Sequence, residues 1–216
     1  NVGGSAGGVQ TSALYAGGGS SITNTEIWNG TSWTEVNDLN DGRYGSASAG
    51  TSTAGIIAGG GSTDQATTTE IWNGSNWTEV NDLNKKRRNM RGAGTTTAMV
   101  AYAGFSPPLT SDTELWNGTN WTEVNNMNTA KYNMAGAGQS STSALSAGGE
   151  TSPDPTSALT EQWNGTNWTE VNDLNTGRFG VAGNGSVTSA LVFGGSLPGY
   201  TTATEEWTGA GAAQGA

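Results

Sequence analysis

The chain has 216 residues, of which 12% are charged, and a formal net charge of −10. It contains neither Cys nor His, which excludes disulfides and Cys/His zinc sites. The negative charge argues against nucleic-acid partners and anionic membranes, which both need a basic surface, and no apolar run is long enough to cross a bilayer.

Glycine, at 35 residues, is abundant enough to suggest disorder. The nine Trp argue the other way, because they recur at regular intervals. The sequence Trp-Asn-Gly-Thr-x-Trp-Thr-Glu-Val-Asn occupies 28–37, 72–81 (with Ser75 for Thr), 116–125 and 163–172, and a worn copy starts at Trp207. First tryptophans at 28, 72, 116, 163 and 207 give steps of 44, 44, 47 and 44 residues. A strand-rich repeat of this length predicts an all-β, five-bladed β-propeller with four-stranded antiparallel blades. The blades are expected at about 1–42, 43–86, 87–130, 131–177 and 178–216, in one domain.

In chain order, one blade reads as four strands, a to d, running from centre to rim. In the second blade they fall at 44–50, 54–61, 68–72 and 76–80. Strand a is rich in Gly, Ala and Ser, which suits a crowded centre. Strand b is an apolar run, as at Ile56-Ile57 and Leu191-Val192-Phe193, which suits burial on both faces. Strands c and d alternate and meet across Asn-Gly, residue types that tolerate positive φ. That turn predicts cross-strand pairs Trp28/Trp33, Trp72/Trp77, Trp116/Trp121 and Trp163/Trp168. In the last copy Trp207 is expected to face Ala212, and strand d at 212–216 is poor in β-formers. The fifth blade is therefore expected either to end raggedly or to be covered by a neighbouring subunit. The chain opens on Asn1 rather than Met with no signal peptide at its start, which leaves it a processed product, a truncated form or part of a longer polypeptide.

Three features resemble the kelch repeat. They are a glycine doublet after strand b (Gly17-Gly18, Gly60-Gly61, Gly148-Gly149, Gly194-Gly195, with Gly104-Phe105 departing), a Glu-x-aromatic before a short turn and a Trp, and a basic residue opening each next blade (Arg43, Arg87, Lys131, Arg178). Trp stands where kelch repeats commonly carry Tyr, and the turn is shorter. The resemblance implies the propeller fold and little about activity. Near-identical copies rich in Gly, Thr and Asn also look like the repeat-bearing structural and fibre proteins of tailed phages.

The b–c loops (19–24, 62–68, 105–112, 150–159 and 196–203) and the d–a loops vary between repeats, whereas the a–b and c–d loops do not. Connectivity puts the variable loops on one face, the candidate recognition surface; the alternative is drift in loops without a task. Five of the eight basic residues crowd together as Lys85, Lys86, Arg87, Arg88 and Arg91. This run is suited to an acidic glycan, a phosphate or an acidic protein surface, and equally reads as a solvated cluster or an intersubunit contact. Phe105, Tyr132 and Tyr200 near the same face could stack on sugars, against the plain reading of isolated surface aromatics.

The repeated glutamates of strand c (Glu26, Glu70, Glu114, Glu161, Glu205) and strand d (Glu35, Glu79, Glu123, Glu170) supply carboxylate pairs. Acid–base catalysis needs two carboxylates in different environments, and identical blades predict the same environment throughout, hence a structural or rim role. Asp38, Asp82 and Asp173 lack a calcium-loop ligand ladder. Kelch-like copper oxidases need His and a Cys-linked Tyr, and sialidase-type Asp boxes are only grazed. The expectation is a non-enzymatic structural or adhesive module without cofactor or metal, extracellular or on a virion surface. Its expected partners are assembly subunits or a cell-surface glycan, with homo-oligomers included. The alternative is a lectin with sites repeated between blades.

Overall fold

The computed structural model describes residues 5–61, 66–197, 199–209 and 214–215. Expectations for Asn1, Pro198, Ala212 and residues 62–65 fall outside them. The protein is an all-β, five-bladed β-propeller built of five four-stranded antiparallel sheets. Blade 1 comprises β1 (Ser5–Val9), β2 (Ser12–Ala16), β3 (Thr25–Trp28) and β4 (Trp33–Val36); blade 2 comprises β5 (Ala47–Gly50), β6 (Gly55–Ala58), β7 (Thr69–Trp72) and β8 (Trp77–Val80). Blade 3 holds β9 (Arg91–Thr95), β10 (Ala98–Tyr102), β11 (Thr113–Trp116) and β12 (Trp121–Glu123); blade 4 holds β13 (Ala135–Ser140), β14 (Ser143–Ala147), β15 (Thr160–Trp163) and β16 (Trp168–Val171). Blade 5 holds β17 (Ala182–Ser186), β18 (Ser189–Phe193), β19 (Thr204–Trp207) and β20 (Gln214–Gly215). Every sheet runs a-b-c-d in sequence order.

The innermost strands pack in succession, β1 on β5, β5 on β9, β9 on β13 and β13 on β17. Small residues are required where they approach. A Cβ at Gly183 would lie 2.9 Å from the Ala135 Cβ, closer than carbon atoms pack. Strand b forms the mid-layer, and β6 and β10 are apolar and almost wholly buried.

The c–d hairpin is set by the repeat itself. The Asn29 side-chain oxygen accepts from the Thr31 and Ser32 amides at 2.9 and 3.0 Å, and Asn73, Asn117 and Asn164 do the same in their blades. Of the Asn-Gly pair only glycine adopts positive φ, as at Gly30 (93°). Asn serves instead as the side-chain cap of an Asx turn. The turn places Trp28 opposite Trp33, and likewise for the pairs at 72/77, 116/121 and 163/168. Ring centroids are 5.5–5.6 Å apart, a geometry that contributes about 0.5–1.5 kcal/mol beyond burial.

One reading needs correction. Gly17, Gly59, Gly148 and Gly194 share one left-handed position, with φ of 63–73°, and Ala103 occupies it at 55°. The second doublet is thus Gly59-Gly60, and the departure in the third blade is Ala103 rather than Phe105. The fifth blade has its expected fourth strand, β20, which spans only two residues and pairs with β19 through the backbone. Its register differs: Glu205 pairs with Gly215, ten residues on, where Glu70 pairs with Glu79, nine on.

Candidate interaction face

The basic residues that open blades 2 to 5 do not lie at the surface. Arg43, Arg87, Lys131 and Arg178 are buried, and so are Glu70, Glu114, Glu161 and Glu205 of strand c. They pair within each blade: Arg43–Glu70 at 2.7 Å, Arg87–Glu114 at 2.9 Å, Arg178–Glu205 at 2.7 Å and Lys131–Glu161 at 3.8 Å. The arginine fork also donates to b–c loop carbonyls, from Arg43 to Thr68 (2.7 Å) and Gly59 (3.3 Å), and from Arg87 to Asp112 and Ala103. The free carboxylate oxygen accepts from the preceding linker, through the backbone N–H and side-chain amide of Asn40, Asn84, Asn128 and Asn175. Each buried charge is therefore paired and hydrogen-bonded, the condition under which burial is tolerated. A lysine presents no planar fork, and Lys131 makes the longest of these pairs. Burial pulls its ammonium down to about 8, against the attraction of Glu161.

This arrangement overturns the expectation of one environment for every glutamate. In each of blades 2 to 5 strand c carries a buried, paired Glu. Directly across the register in blades 2 to 4 strand d carries an exposed one, Glu79, Glu123 or Glu170. The set Asp38, Asp173 and Asn126 holds strand c from outside, each side-chain oxygen accepting from a strand-c amide (Thr25, Thr160, Thr113) at 2.9–3.2 Å. An amide oxygen serves as well as a carboxylate there, so Asn126 fits the series.

The run from Lys85 to Arg91 is not one basic surface. Arg87 belongs to the buried ladder, which corrects its reading as a surface ligand. Arg88 lies between two rings, 5.9 Å from Tyr44 and 5.1 Å from Phe105, and donates to the Tyr44 hydroxyl at 2.8 Å. Arg91 sits half-buried on the innermost strand, donates to the Met90 carbonyl, and is held below the usual arginine range by desolvation. Lys85 and Lys86 alone are exposed. Lys85 bridges Asp112 (3.1 Å) and Glu123 (3.2 Å), and these hydrogen bonds raise its pKa.

The variable face has two built features. One is an open groove of about 440 Å³ where the linker carrying Asn84, Lys85 and Lys86 meets the loop carrying Pro107, Pro108 and Asp112. The other is a stack in which Phe105 and Tyr132 lie 5.5 Å apart and Arg88 caps Phe105. The Tyr132 hydroxyl donates to Glu150 at 2.6 Å, and Asn133 donates to the other carboxylate oxygen at 2.8 Å. Burial, then Glu150, pushes the phenol up to about 12. Phe105 and Tyr132 are thus half-buried partners of one another. Tyr200, on the b–c loop of blade 5, is fully exposed and stands outside the stack.

Tyr44 and Glu150 complete this stack and went unread in the sequence. The signal was positional: Tyr44, Arg88, Tyr132 and Phe179 each follow a blade-opening basic residue and each bridge a residue just after the strand-b glycines. Among the described residues no three acidic side chains converge as a metal site, and no helix is long and apolar enough to cross a membrane. No family model matches the chain, and no characterised protein matches it significantly.

Proposed function

We propose that the protein is a non-catalytic structural and adhesive propeller. In this reading it is a module of a virion-surface, tail or capsid-fibre assembly in the extracellular setting, and it presents its b–c and d–a loops to a protein or host-surface partner. The kelch-like and phage-like character of the sequence favours this assignment. One observation carries it: the ionisable residues that recur in blades 2 to 5 are used inside the blades, as Arg/Lys–Glu pairs roofed by Asn. Chemical variety is concentrated instead on one face, in the Lys85/Lys86 groove, the Arg88–Phe105–Tyr132 stack and Tyr200.

Beads displaying many copies provide the test, applied to purified virion or fibre proteins and to an array of neutral and acidic glycans. Specific retention by a protein assembly is expected, reduced at least several-fold by Lys85→Ala with Lys86→Ala and unchanged by Thr119→Ala on the opposite face. Retention that ignores both substitutions would remove the loop face from the proposal. A fully exposed Tyr200 favours the lectin as second reading. Binding to one defined sugar, lost in Tyr200→Ala, would select it.

A further inference from the structure

Three of the four internal junctions between blades, 1–2, 2–3 and 3–4, follow one chemical rule. The second Trp of a blade packs on the preceding blade and donates its indole N–H to the threonine that opens that blade's strand c. Trp77 donates to Thr25 at 3.0 Å, Trp121 to Thr69 at 3.1 Å and Trp168 to Thr113 at 3.0 Å. The strand-b residue two positions before the one paired with that threonine is covered in the same contact. Leu14 packs with Trp77, Ile56 with Trp121 and Val100 with Trp168, and Tyr102 lies 4.8 Å from the Trp168 ring.

Two half-junctions stay open. On blade 1, Trp33 is 49% exposed, against 5–8% for Trp77, Trp121 and Trp168. On blade 5, Leu191 and Phe193 are each 42% exposed, although their counterparts Leu14, Ile56, Val100, Leu145 and Tyr102 are buried. Thr204 is exposed, where Thr25, Thr69, Thr113 and Thr160 are buried. Blade 1 therefore offers the Trp half of the junction, and blade 5 offers the Thr/Leu/aromatic half.

We infer that these faces bind each other between two copies of the chain, head to tail, with blade 5 of one copy serving as the blade that precedes blade 1 of the next. The contact would bury Leu191 and Phe193 against Trp28 and Trp33 and give the Trp33 indole N–H the Thr204 hydroxyl. The occupant is a second copy because each face has its complement in the same chain, at the register positions that already bind one another three times within it. Such a contact is heterologous and yields rings or filaments according to the rotation between copies. It is independent of what the loop face binds.

Native mass spectrometry and light scattering over a concentration series test this on the whole chain. Wild type is expected to form concentration-dependent oligomers. Trp33→Glu alone and Leu191→Glu/Phe193→Glu alone are each expected to be monomeric, with folding checked by circular dichroism. An equimolar mixture of the two is expected to give a discrete heterodimer, because each retains the half that the other lacks. Thr204→Val, nearly isosteric, is expected to weaken wild-type association without abolishing it, and covers the case in which a glutamate variant fails to fold. Wild type that stays monomeric throughout, either blocked variant that still oligomerises, or a mixture that stays monomeric would each overturn the proposal.

Discussion

The internal junctions of the propeller and its two outermost faces carry the same residues in different states. Trp77, Trp121 and Trp168 are buried against a neighbouring blade, whereas Trp33 lies half open. Glu70, Glu114, Glu161 and Glu205 are buried against a cation, but Glu26 is half-buried and has no basic partner among the described residues. In the repeat frame the position of Arg43 corresponds to Asn1 in the first blade. An identical residue is thus a core element or a surface group according to whether a neighbouring blade and a basic residue stand beside it.

The sharpest break of this comparison is Glu114→Ala against Glu26→Ala. The first leaves the Arg87 guanidinium buried without its counter-ion and is expected to cost about 3–5 kcal/mol. The second is expected to cost less than about 1 kcal/mol, as for a surface change. Urea unfolding of both variants measures the difference.

Next comes Trp121→Ala against Trp33→Ala. The buried indole fills the blade 2–3 junction, and its loss is expected to cost about 3–5 kcal/mol, while at Trp33, measured at concentrations low enough to keep the chain dissociated, the cost is expected to stay near 1 kcal/mol, in proportion to the smaller area buried. Equal losses would mean that the first blade is as enclosed in solution as the third.

A smaller effect separates the lysine pair from the arginine pairs. The Lys131 ammonium is held near 8, below its ordinary 10.5. Between those values the unfolded chain binds more protons than the folded one, so stability rises with pH through this window. Below about pH 8 the folded state carries the full cost of charging a buried lysine. In Lys131→Arg, which stays protonated, that rise is expected to disappear. Thermal unfolding at pH 7 and pH 10 compares the two proteins, and identical slopes would refute the attribution.

The smallest expected change is at Ala103, which holds a left-handed conformation that its four counterparts assign to glycine. Ala103→Gly relieves about 1–2 kcal/mol of strain and returns about 0.4–1 kcal/mol through the freer unfolded chain, leaving a gain of roughly 1 kcal/mol or less. Gly59→Ala is expected to be worse than neutral, because a Cβ there would lie 2.9–3.0 Å from Met90 Sδ, the Arg87 carbonyl and Leu83 Cδ1.

Much of the architecture was legible because the repeat is nearly identical. The Trp spacing implied the blade number, and Asn-Gly implied the hairpin that aligns Trp28 with Trp33. The apolar runs marked the mid-layer. The charged residues were harder to read. Arg87 stands in a run of four basic residues, and nothing local shows that it turns inward while Lys85 and Lys86 turn out. Its partner Glu114 is 27 residues away, across a loop whose course only the fold defines. Phe105 and Tyr132 looked like separate surface rings until the linker and loop brought them together around Arg88.

What the sequence by itself determined is therefore local and periodic: strand positions, hairpin turns and the order of strands within a blade, all set by side-chain alternation and turn chemistry that repeat every 44 to 47 residues. Tertiary structure alone decided which copy of each repeated residue is enclosed. Burial depends on the neighbouring blade, and desolvation then makes a charge tolerable only where a partner lies within hydrogen-bond reach. Identical sequence thus yields a buried ion pair at Arg87–Glu114 and open, complementary faces at Trp33 and Thr204.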